Sequence, residues 1–250
     1  MKPHVKPSAQ QSTHLSAGLF SRYYPTQAWN GTLAFYSWVR EHTVSTTALL
    51  NLGAGRPTRD GLRSFKGEVS QAVGADIDPV VLENDELDEA RVIVGSSIPF
   101  AEDSFDVVLS DFVLEHVTAP AELLSEVIRI LKPGGSFFFR TPNKHHYVAL
   151  VARISPHWFH RLVANRARGL GQDAHQPHRT WYRLNSRRAI VTAAQKAGFR
   201  NIELRFWEAE PSYLVFNSAA FLCGVAYERL VNRFESLAPL RANIFGRLVK

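Results

Sequence analysis

The sequence predicts an α/β fold: a doubly wound, mostly parallel seven-stranded sheet that ends in an antiparallel hairpin and carries a helical lid insertion. Short apolar runs of strand length alternate with segments of helical periodicity along most of the chain. The runs are continuously apolar, as expected for strands that are buried on both faces of a parallel sheet. Only residues 143–185 break the alternation, and we expect them to form a lid over the carboxyl ends of the strands.

The first half of the chain predicts one helix and four strands. Residues 29–42 carry Phe35, Trp38 and Val39 at helical spacing, which indicates a helix. The segments that we interpret as strands are 48–52, 69–75, 91–94 and 105–110. Their apolar runs are bounded by turn signals, which is typical of buried strands.

The second half begins with the clearest helical pattern, "APAELLSEVIRILKPGG", which ends at residues 133–135. A fifth strand follows at 136–141. Ser186 is a candidate N-cap for another helix, and Gly198 is its candidate C-terminal stop. The antiparallel hairpin is assigned to 201–207 and 213–217.

The length of 250 residues fits one domain. We expect a disordered tail over 1–20 and a single domain over 21–250. C-terminal helices are expected over about 218–250, and the first of them over 218–235.

Composition indicates a globular protein, with 45% apolar and 21% charged residues. The single cysteine, Cys223, excludes an internal disulfide framework, and its apolar surroundings predict a buried thiol. The start of the chain lacks the apolar segment of a secretory signal. The most apolar run, 212–227, is shorter than the roughly 20 residues of a membrane span, so we expect no transmembrane segment.

Charge is distributed unevenly along the chain. Residues 140–200 hold 12 of the 29 lysines and arginines, six of the 10 histidines and one of the 23 acidic residues. A field of this kind favours an anionic partner. The alternative is a solvated basic surface.

A glycine loop follows the first strand in "ALLNLGAGRPTRDG", residues 48–61. Gly53 and Gly55 allow the backbone to approach a ligand closely. A dinucleotide-binding loop would need a third glycine at Thr58, and a phosphate-binding loop would need Gly-Lys-Ser/Thr, so neither pattern is present. A nucleoside without phosphates therefore fits better. Arg56 either meets a carboxylate of the ligand or faces solvent.

An acidic residue follows the second strand about 20 residues after the loop, in "VGADIDP". A carboxylate at this point can accept hydrogen bonds from both hydroxyls of a ribose. Asp76 is placed at the strand end for this role. Asp78, just before Pro79, is better placed to cap the next helical segment. The alternative is that both are turn residues.

The motifs "NLGAG", "GADID", "IPF…SFD", "LEHV" and "LKPGG" occur in this order between residues 48 and 143. In this combination the chain resembles the class I S-adenosylmethionine-dependent methyltransferases, in their type 11 small-molecule branch. The resemblance implies a Rossmann-like methyltransferase fold and S-adenosyl-L-methionine as the cofactor. A weaker extension reaches residue 217.

The resemblance also implies a set of cofactor-binding residues. The loop under the methionine moiety would contain Asn51, Gly53, Ala54 and Gly55. Asp76 would hold the ribose and Ile77 would lie against the adenine. This chain departs from the family before "IPF", where Ser96 and Ser97 stand in place of the usual adenine-binding carboxylate. Beside the amino-acid end and the methyl group the family pattern places Ser110, Asp111 and Phe112.

Candidate catalytic residues are those that can accept a proton from an acceptor hydroxyl. They are His116, His145, His146, His178 and Tyr182. For His116 the alternative is a helix-terminal histidine with Glu115 capping. Candidate substrate-binding residues are Asn143, Arg179 and Arg183, the arginines because they can pair with a carboxylate or phosphate. We expect no metal, because the two His-x-x-His pairs have only Asp173 near them.

The resulting hypothesis is a cytoplasmic small-molecule methyltransferase that transfers a methyl group to oxygen of an anionic or lipid- or sugar-linked acceptor. The alternatives are a nucleic-acid methyltransferase, for which no binding module is evident, and a non-catalytic S-adenosylmethionine-binding scaffold. The last helix could lie on the inner membrane surface or form a homodimer face.

Overall fold

The structure is a computed structural model that describes residues 14–149, 179–215 and 217–250. Its centre is a seven-stranded sheet in the order β3-β2-β1-β4-β5-β7-β6. The strands are β1 Ala48–Leu52, β2 Gln71–Asp76, β3 Glu89–Val92, β4 Phe105–Asp111, β5 Leu131–Pro142, β6 Asn201–Trp207 and β7 Asn243–Val249. Strand β7 is antiparallel to β5 and β6, and the other neighbours are parallel. The predicted fold class, a mostly parallel seven-stranded sheet with antiparallel end strands, is confirmed. The helical lid expected over 143–185 lies largely outside the described residues.

The α-helices of the described residues are α1 His14–Tyr23, α2 Gly31–Arg40, α3 Pro120–Ile130, α4 Arg187–Ala197 and α5 Ser218–Arg233. Each predicted helix has its counterpart among α2 to α5. Ser186 caps α4 by accepting a hydrogen bond from the amide of Ala189, and Gly198 ends the helix with φ of 99°. The predicted ends of this helix are therefore confirmed.

Helices cover both faces of the sheet and give the fold two apolar cores. On one face α2 packs through Phe35 and Trp38 against the strands. On the opposite face α3 and α4 pack through Val127 and Ile190. The edge at which the parallel strands end, called here the carboxyl edge, is left for binding.

Two crossovers near this edge contain no α-helix. Residues 53–70 join β1 to β2 through turns, and residues 77–88 join β2 to β3 through the 3₁₀ helix Pro79–Glu83; the structure describes both ranges throughout. Asp78 caps this 3₁₀ helix by accepting a hydrogen bond from the amide of Val80, as predicted. A parallel crossover usually includes a helix, whose N-terminus can bind an anion. The glycine loop is not followed by a helix, so no helix N-terminus binds an anionic group there and side chains would have to do so.

The C-terminal part of the sequence prediction is wrong in its second strand. Residues 213–217 were expected to pair with 201–207, but Ser212–Leu214 forms a 3₁₀ helix and β7 is the partner of β6. Residues 218–250 were expected to be helical, whereas α5 ends at Arg233 and β7 inserts between β5 and β6. Strand β7 pairs with β5 and β6, and a pattern within residues 243–249 could not reveal these two neighbours.

Two smaller expectations also need correction. Helix α1 begins at His14, inside the stretch 1–20 that was expected to be a disordered tail. Cys223 is exposed rather than buried, because α5 turns Phe221 and Val225 inward and Cys223 outward. In the described part of the chain, no helix has the length and apolar character needed to cross a bilayer.

Helix α5 lies across the carboxyl edge at the ends of β5 and β6. The ring of Tyr227 lies 4.9 Å from the ring of Tyr147, which follows β5. Gly224 packs so closely on Pro211, which follows β6, that a Cβ would collide with its ring. The hydroxyl of Tyr24 donates a hydrogen bond to Glu228 at 3.2 Å. Helix α5 therefore closes this end of the edge.

Three carboxylates lie on the buried side of α5. Glu228 belongs to the helix itself, and Glu208 and Glu210 follow β6. Glu208 and Glu228 are 7% and 1% exposed, and one carboxylate oxygen of Glu210 is buried without a hydrogen-bond partner among the described residues. Burial raises the pKa of the Glu210 carboxyl, and the charge of Glu228 raises it further. Burial also raises the pKa of Glu228. Burial and the charge of Glu208 raise the pKa of Tyr227 to about 12.

We expect the substitution Glu210→Gln to make the stability of the protein less dependent on pH. The folded state raises the pKa of Glu210 above its ordinary value of 4.5. Its contribution to the free energy of unfolding is therefore largest below that value and is lost as pH rises through the folded pKa. The glutamine stays neutral, so the melting temperature of the variant should fall less than that of the wild type between about pH 5 and pH 8.

Calorimetry at each pH checks this, with Glu83→Gln at an exposed position as the control. Parallel declines of the wild type and Glu210→Gln would show that Glu210 does not cause the loss.

Candidate functional site

The glycine loop leaves β1 with two residues in the left-handed region. Gly53 has φ of 81° and Gly55 has φ of 54°, which glycine adopts without steric cost. The amide of Gly53 donates to the carbonyl of Ala75 at 2.7 Å and draws the loop over β2. A Cβ at position 53 would collide with Val113. The loop therefore presents backbone rather than side chains at the carboxyl edge.

Asp76 ends β2 beside this loop. Its carboxylate accepts hydrogen bonds from the amides of Gly55 and Asp78, both at 2.9 Å. A carboxylate offers about four lone-pair sites, so about two remain for a ligand. Ile77, the next residue, is apolar and yet 65% exposed. The end of β2 thus offers acceptors for hydroxyl groups beside an apolar surface for a flat ring.

The serines after β3 differ in their surroundings. Ser96 is exposed. The hydroxyl of Ser97 donates to Glu126 of α3 at 3.2 Å. Hydrogen bonds from Arg129 lead a set of contacts that lower the pKa of Glu126 to about 2, so this acceptor stays charged. Of the two predicted adenine contacts, Ser96 is therefore the one whose side chain is not engaged with α3.

Asp111, at the end of β4, forms a buried ion pair with Arg140 of β5. Nε and Nη2 of Arg140 contact the two carboxylate oxygens at 2.6 and 2.7 Å. The hydroxyl of Tyr36 and Nη1 of Arg63 contact the same carboxylate at 3.2 and 3.3 Å. Burial and the charge of Asp111 raise the pKa of Tyr36, which stays a donor.

These contacts argue against the role expected for Asp111. Four donors use the lone-pair sites of its carboxylate, and the side chain is 7% exposed. The geometry therefore argues against direct contact with the cofactor and indicates that Asp111 orders its neighbours. Ser110 is 1% exposed, so its side chain also faces the protein interior.

A cavity of about 60 Å³ lies between the glycine loop and residues 56–70. Its lining includes Tyr36, Asn51, Gly53, Ala54, Arg63 and Asp111. Arg140 already neutralises Asp111, and the contact of Arg63 with Asp60 is 3.6 Å long and partly exposed. Arg63 thus lies at the cavity between Asp60 and Asp111, and the acidic Glu86 also belongs to the lining.

The sequence patterns did not indicate that Arg63 and Tyr36 line this cavity. Arg63 lies in a crossover without helical periodicity, and Tyr36 belongs to a helix that was interpreted only as core. Arg56, which was considered as a carboxylate partner, is exposed and does not line the cavity. The absence of a helical pattern after the glycine loop was the one feature of the sequence that pointed to an irregular segment there.

Two residues on the acceptor side have strained backbones. Phe112 and Tyr182 have φ of 56° and 52°, and such strain, about 1–3 kcal/mol each, clusters at functional sites. The amide of Phe112 donates to the carbonyl of Arg140, and its ring lies 4.5 Å from that guanidinium. The amide of Tyr182 donates to the carbonyl of Glu115 at 3.2 Å. Residues 181 and 182 are thereby joined to the loop after β4.

His116 belongs to the same group. Its Nδ1 lies 3.1 Å from the carbonyl oxygen of Arg179. Because a carbonyl only accepts, Nδ1 carries the proton in the neutral ring and Nε2 is the basic nitrogen. Glu115 is buried and accepts a hydrogen bond from Thr141 at 3.3 Å. The structure therefore brings together His116, Arg179 and Tyr182.

The two predicted arginines flank an exposed ring. The guanidinium carbons of Arg179 and Arg183 lie 4.0 and 5.5 Å from the ring centre of Trp181, which is 37% exposed. Arg183 also donates to the carbonyl of Thr118. The arginines form a cationic patch around an aromatic ring.

The structure argues against the substrate role expected for Asn143. This residue is 1% exposed, and its Nδ2 donates to the carbonyls of Pro239 and Arg241 at 2.7 and 2.8 Å. Its Oδ1 accepts from the amide of His145. Asn143 therefore fastens the end of β5 to the segment before β7.

The other candidate histidines of the described residues, His145 and His146, follow β5 rather than β4. His146 is 5% exposed, and its Nε2 faces Glu208 at 3.4 Å without a hydrogen bond among the described residues, so this side chain is packed under α5. His145 is exposed. His178 lies outside the described residues. Within those residues, no group of three or more histidine, cysteine or acidic side chains could hold a metal ion.

Comparison with known proteins gives this geometry a context. The model of a family described as a methyltransferase domain matches residues 42–204, which is more than half of the chain. The match begins before β1 and includes the glycine loop, Asp76 and His116. The type 11 branch indicated by the motifs fits this family.

Individual relatives match over shorter stretches. A probable S-adenosylmethionine-dependent methyltransferase of Mycolicibacterium smegmatis is 31% identical over 121 residues, which cover 43% of this chain and 46% of that protein. A thiol S-methyltransferase of Rattus norvegicus is 30% identical over 136 residues, 52% of this chain and 48% of that protein. The chain thus spans about half the length of these curated relatives.

A solved structure is similar over a longer range. It is phosphoethanolamine N-methyltransferase 2 of Haemonchus contortus with phosphomonomethylethanolamine and S-adenosylhomocysteine, with a TM-score of 0.54 and 20% identity over 96% of this chain and 59% of that one. The likeness shows a shared fold. From the family match and the strand order, we conclude that the chain belongs to the class I S-adenosylmethionine-dependent methyltransferases.

Proposed function

We propose that the protein transfers the methyl group of S-adenosylmethionine to an oxygen of a small acceptor that is anionic or linked to a lipid or sugar. One observation carries the proposal: the Asp76–Gly55 pair and the group around His116 lie on the same edge, after β2 and β4. A donor site and an acceptor site on one edge permit in-line transfer. The acceptors named for the thiol and phosphoethanolamine relatives are small, which supports that class.

The cofactor would supply an activated methyl group, and the chain's own residues would position it. Asp76 retains acceptor sites for the ribose hydroxyls, and exposed Ile77 offers an apolar surface to the adenine. The cavity beside the glycine loop, lined by Gly53, Ala54 and Arg63, would lie next to the methionine end of the cofactor. Arg63 would receive the methionine carboxylate in place of a helix N-terminus.

His116 would act as the base for an acceptor hydroxyl. Its hydrogen bond to the carbonyl of Arg179 leaves Nε2 as the proton-accepting nitrogen. Tyr182 lies beside it in a strained conformation that only a well-packed surrounding can maintain. Arg179 and Arg183 would attract the anionic part of the acceptor, and the concentration of basic residues in 140–200 has the same effect.

The substitution Asp76→Asn tests the cofactor site. It replaces one carboxylate oxygen by an amide that donates, so hydrogen bonds to ribose hydroxyls are lost. Each hydrogen bond to a charged group contributes about 1.5–3 kcal/mol, and we expect affinity for S-adenosylhomocysteine to fall about tenfold or more in isothermal titration. Asp78→Asn, which alters only the cap of the 3₁₀ helix, is the matched control. Equal affinities of Asp76→Asn and the wild type would refute the ribose role.

A second titration isolates Arg63. Arg63→Gln should weaken S-adenosylhomocysteine about tenfold to a hundredfold, because a charge-assisted contact with the carboxylate is lost. The affinity for 5′-methylthioadenosine, which lacks the amino-acid part, should stay within about twofold. Arg59→Gln, an exposed arginine in the same crossover, is the control. Equal losses for both ligands would mean that Arg63 only supports the fold.

The activity itself is tested with tritiated S-adenosylmethionine and a panel of small acids, phosphorylated sugars, lipid-linked sugars, amines, thiols and RNA. We expect label on an oxygen of an anionic acceptor. For that acceptor, His116→Asn should lower kcat about a hundredfold to ten-thousandfold and leave affinity for S-adenosylhomocysteine unchanged. Transfer to RNA, or cofactor binding without any transfer, would favour the corresponding alternative function. An unaltered kcat would remove His116 as the base.

A further inference from the structure

Helix α5 turns an apolar face to solvent. Its inward residues include Phe221, Val225 and Glu228, which are at most 5% exposed. The outward positions recur every three or four residues and are Ala219, Leu222, Cys223, Ala226, Leu230 and Arg233. Leu222 and Leu230 are 41% and 50% exposed, and Phe234, directly after the helix, is 51% exposed. These outward residues together with Phe234 are called here the α5 face.

Basic side chains border the α5 face. Arg233 lies on it, and Arg22 is exposed on the neighbouring helix α1. Arg229 lies at its side with 40% exposure, but it pairs with Glu228 at 3.3 Å and lies 4.1 Å from the ring of Trp29. Among residues 218–233, which the structure describes completely, the acidic side chain is Glu228, and it is buried. Glu235 directly follows Phe234, pairs with Arg241 at 2.8 Å and is 84% exposed. The α5 face is therefore apolar, with Arg22 and Arg233 as exposed cations at its border and Glu235 at its C-terminal end.

The position of α5 connects this face to the acceptor side. The helix packs on Tyr147 after β5 and on Pro211 after β6, so it forms part of the carboxyl edge. The described residues that follow β5 leave the sheet at the same edge, and they include Lys144. Apolar exposure and positive charge thus coincide beside the proposed site.

We propose that the α5 face docks on an anionic lipid surface, with α5 lying in the plane of the interface. The proposal rests on the proposed function, because it places the acceptor opening at the membrane and so favours a lipid-linked acceptor. Apolar side chains with flanking arginines match the acyl boundary and the anionic headgroups of such a surface.

Charge decides between a bilayer and a second copy of the chain. A two-fold dimer would place the same patch on both sides of the interface. The arginines that border the α5 face would then approach those of the partner copy, which is unfavourable. An anionic bilayer neutralises them instead.

Vesicle flotation of the full chain tests the proposal. We expect the protein to float with vesicles of phosphatidylcholine and phosphatidylglycerol, to stay behind with phosphatidylcholine alone, and to dissociate as ionic strength rises. Leu230→Ser should weaken binding about tenfold through the lost apolar contact. Arg233→Glu should weaken it at least about fivefold, since each basic residue near the surface contributes about a factor of five.

The controls separate docking from folding and from the cofactor site. Val44→Ser alters a side chain that is 65% exposed between α2 and β1, and it should float like the wild type. All variants should keep the melting temperature and the affinity for S-adenosylhomocysteine. Cofactor binding without flotation overturns this inference alone, whereas flotation without cofactor binding overturns the proposed function alone. A concentration-dependent dimer that Leu230→Ser dissociates would assign the face to a second copy and overturn the proposal.

Discussion

The buried ion pair between Asp111 and Arg140 is the interaction on which the organisation of the carboxyl edge depends. It joins the ends of β4 and β5, and Arg140 also contacts Thr32 of α2 and the ring of Phe112. Removing one partner of a buried pair typically costs about 3–5 kcal/mol, because the other charge is left without compensation. The pair therefore fixes the N-terminus of α2, the strained Phe112 and the wall of the cavity relative to one another.

Charge at the cavity follows from this pair. Because Arg140 makes the shorter contacts with Asp111, at 2.6 and 2.7 Å against 3.3 Å for Arg63, we propose Arg63 as the cation that receives the carboxylate of the cofactor. The crossover after the glycine loop has no helix, so no helix dipole attracts an anionic group at this point. Cofactor geometry that a helix N-terminus supports in other α/β proteins would here depend on one arginine in an irregular loop. The contacts to the methionine end would therefore depend more on the particular residues of this chain than the other contacts of the proposed cofactor site.

The sequence predicted β1, β2, β4 and α3 because a buried strand or a packed helix leaves a local apolar pattern. Strand β7 left none: Gly246 and Arg247 interrupt its apolar residues, and only packing against Phe139 shows why a glycine is needed there. The position of Asp76 at the end of a strand could be predicted from the apolar pattern before it. The position of Arg63 at the cavity could not, because an irregular loop carries it there. The inward orientation of Asn143 could not be predicted either, because its partners Pro239 and Arg241 lie far along the chain.

The central claim is that the carboxyl edge binds the cofactor with its nucleoside at β2 and its amino-acid end at the Arg63 cavity. A crystal structure with S-adenosylhomocysteine tests it most directly. The account predicts both ribose hydroxyls within hydrogen-bond distance of Asp76 and the carboxylate on Arg63, with the Asp111–Arg140 pair intact. A nucleoside bound away from β2, or a carboxylate that reaches Arg56 and leaves Arg63 on Asp111 alone, would contradict it.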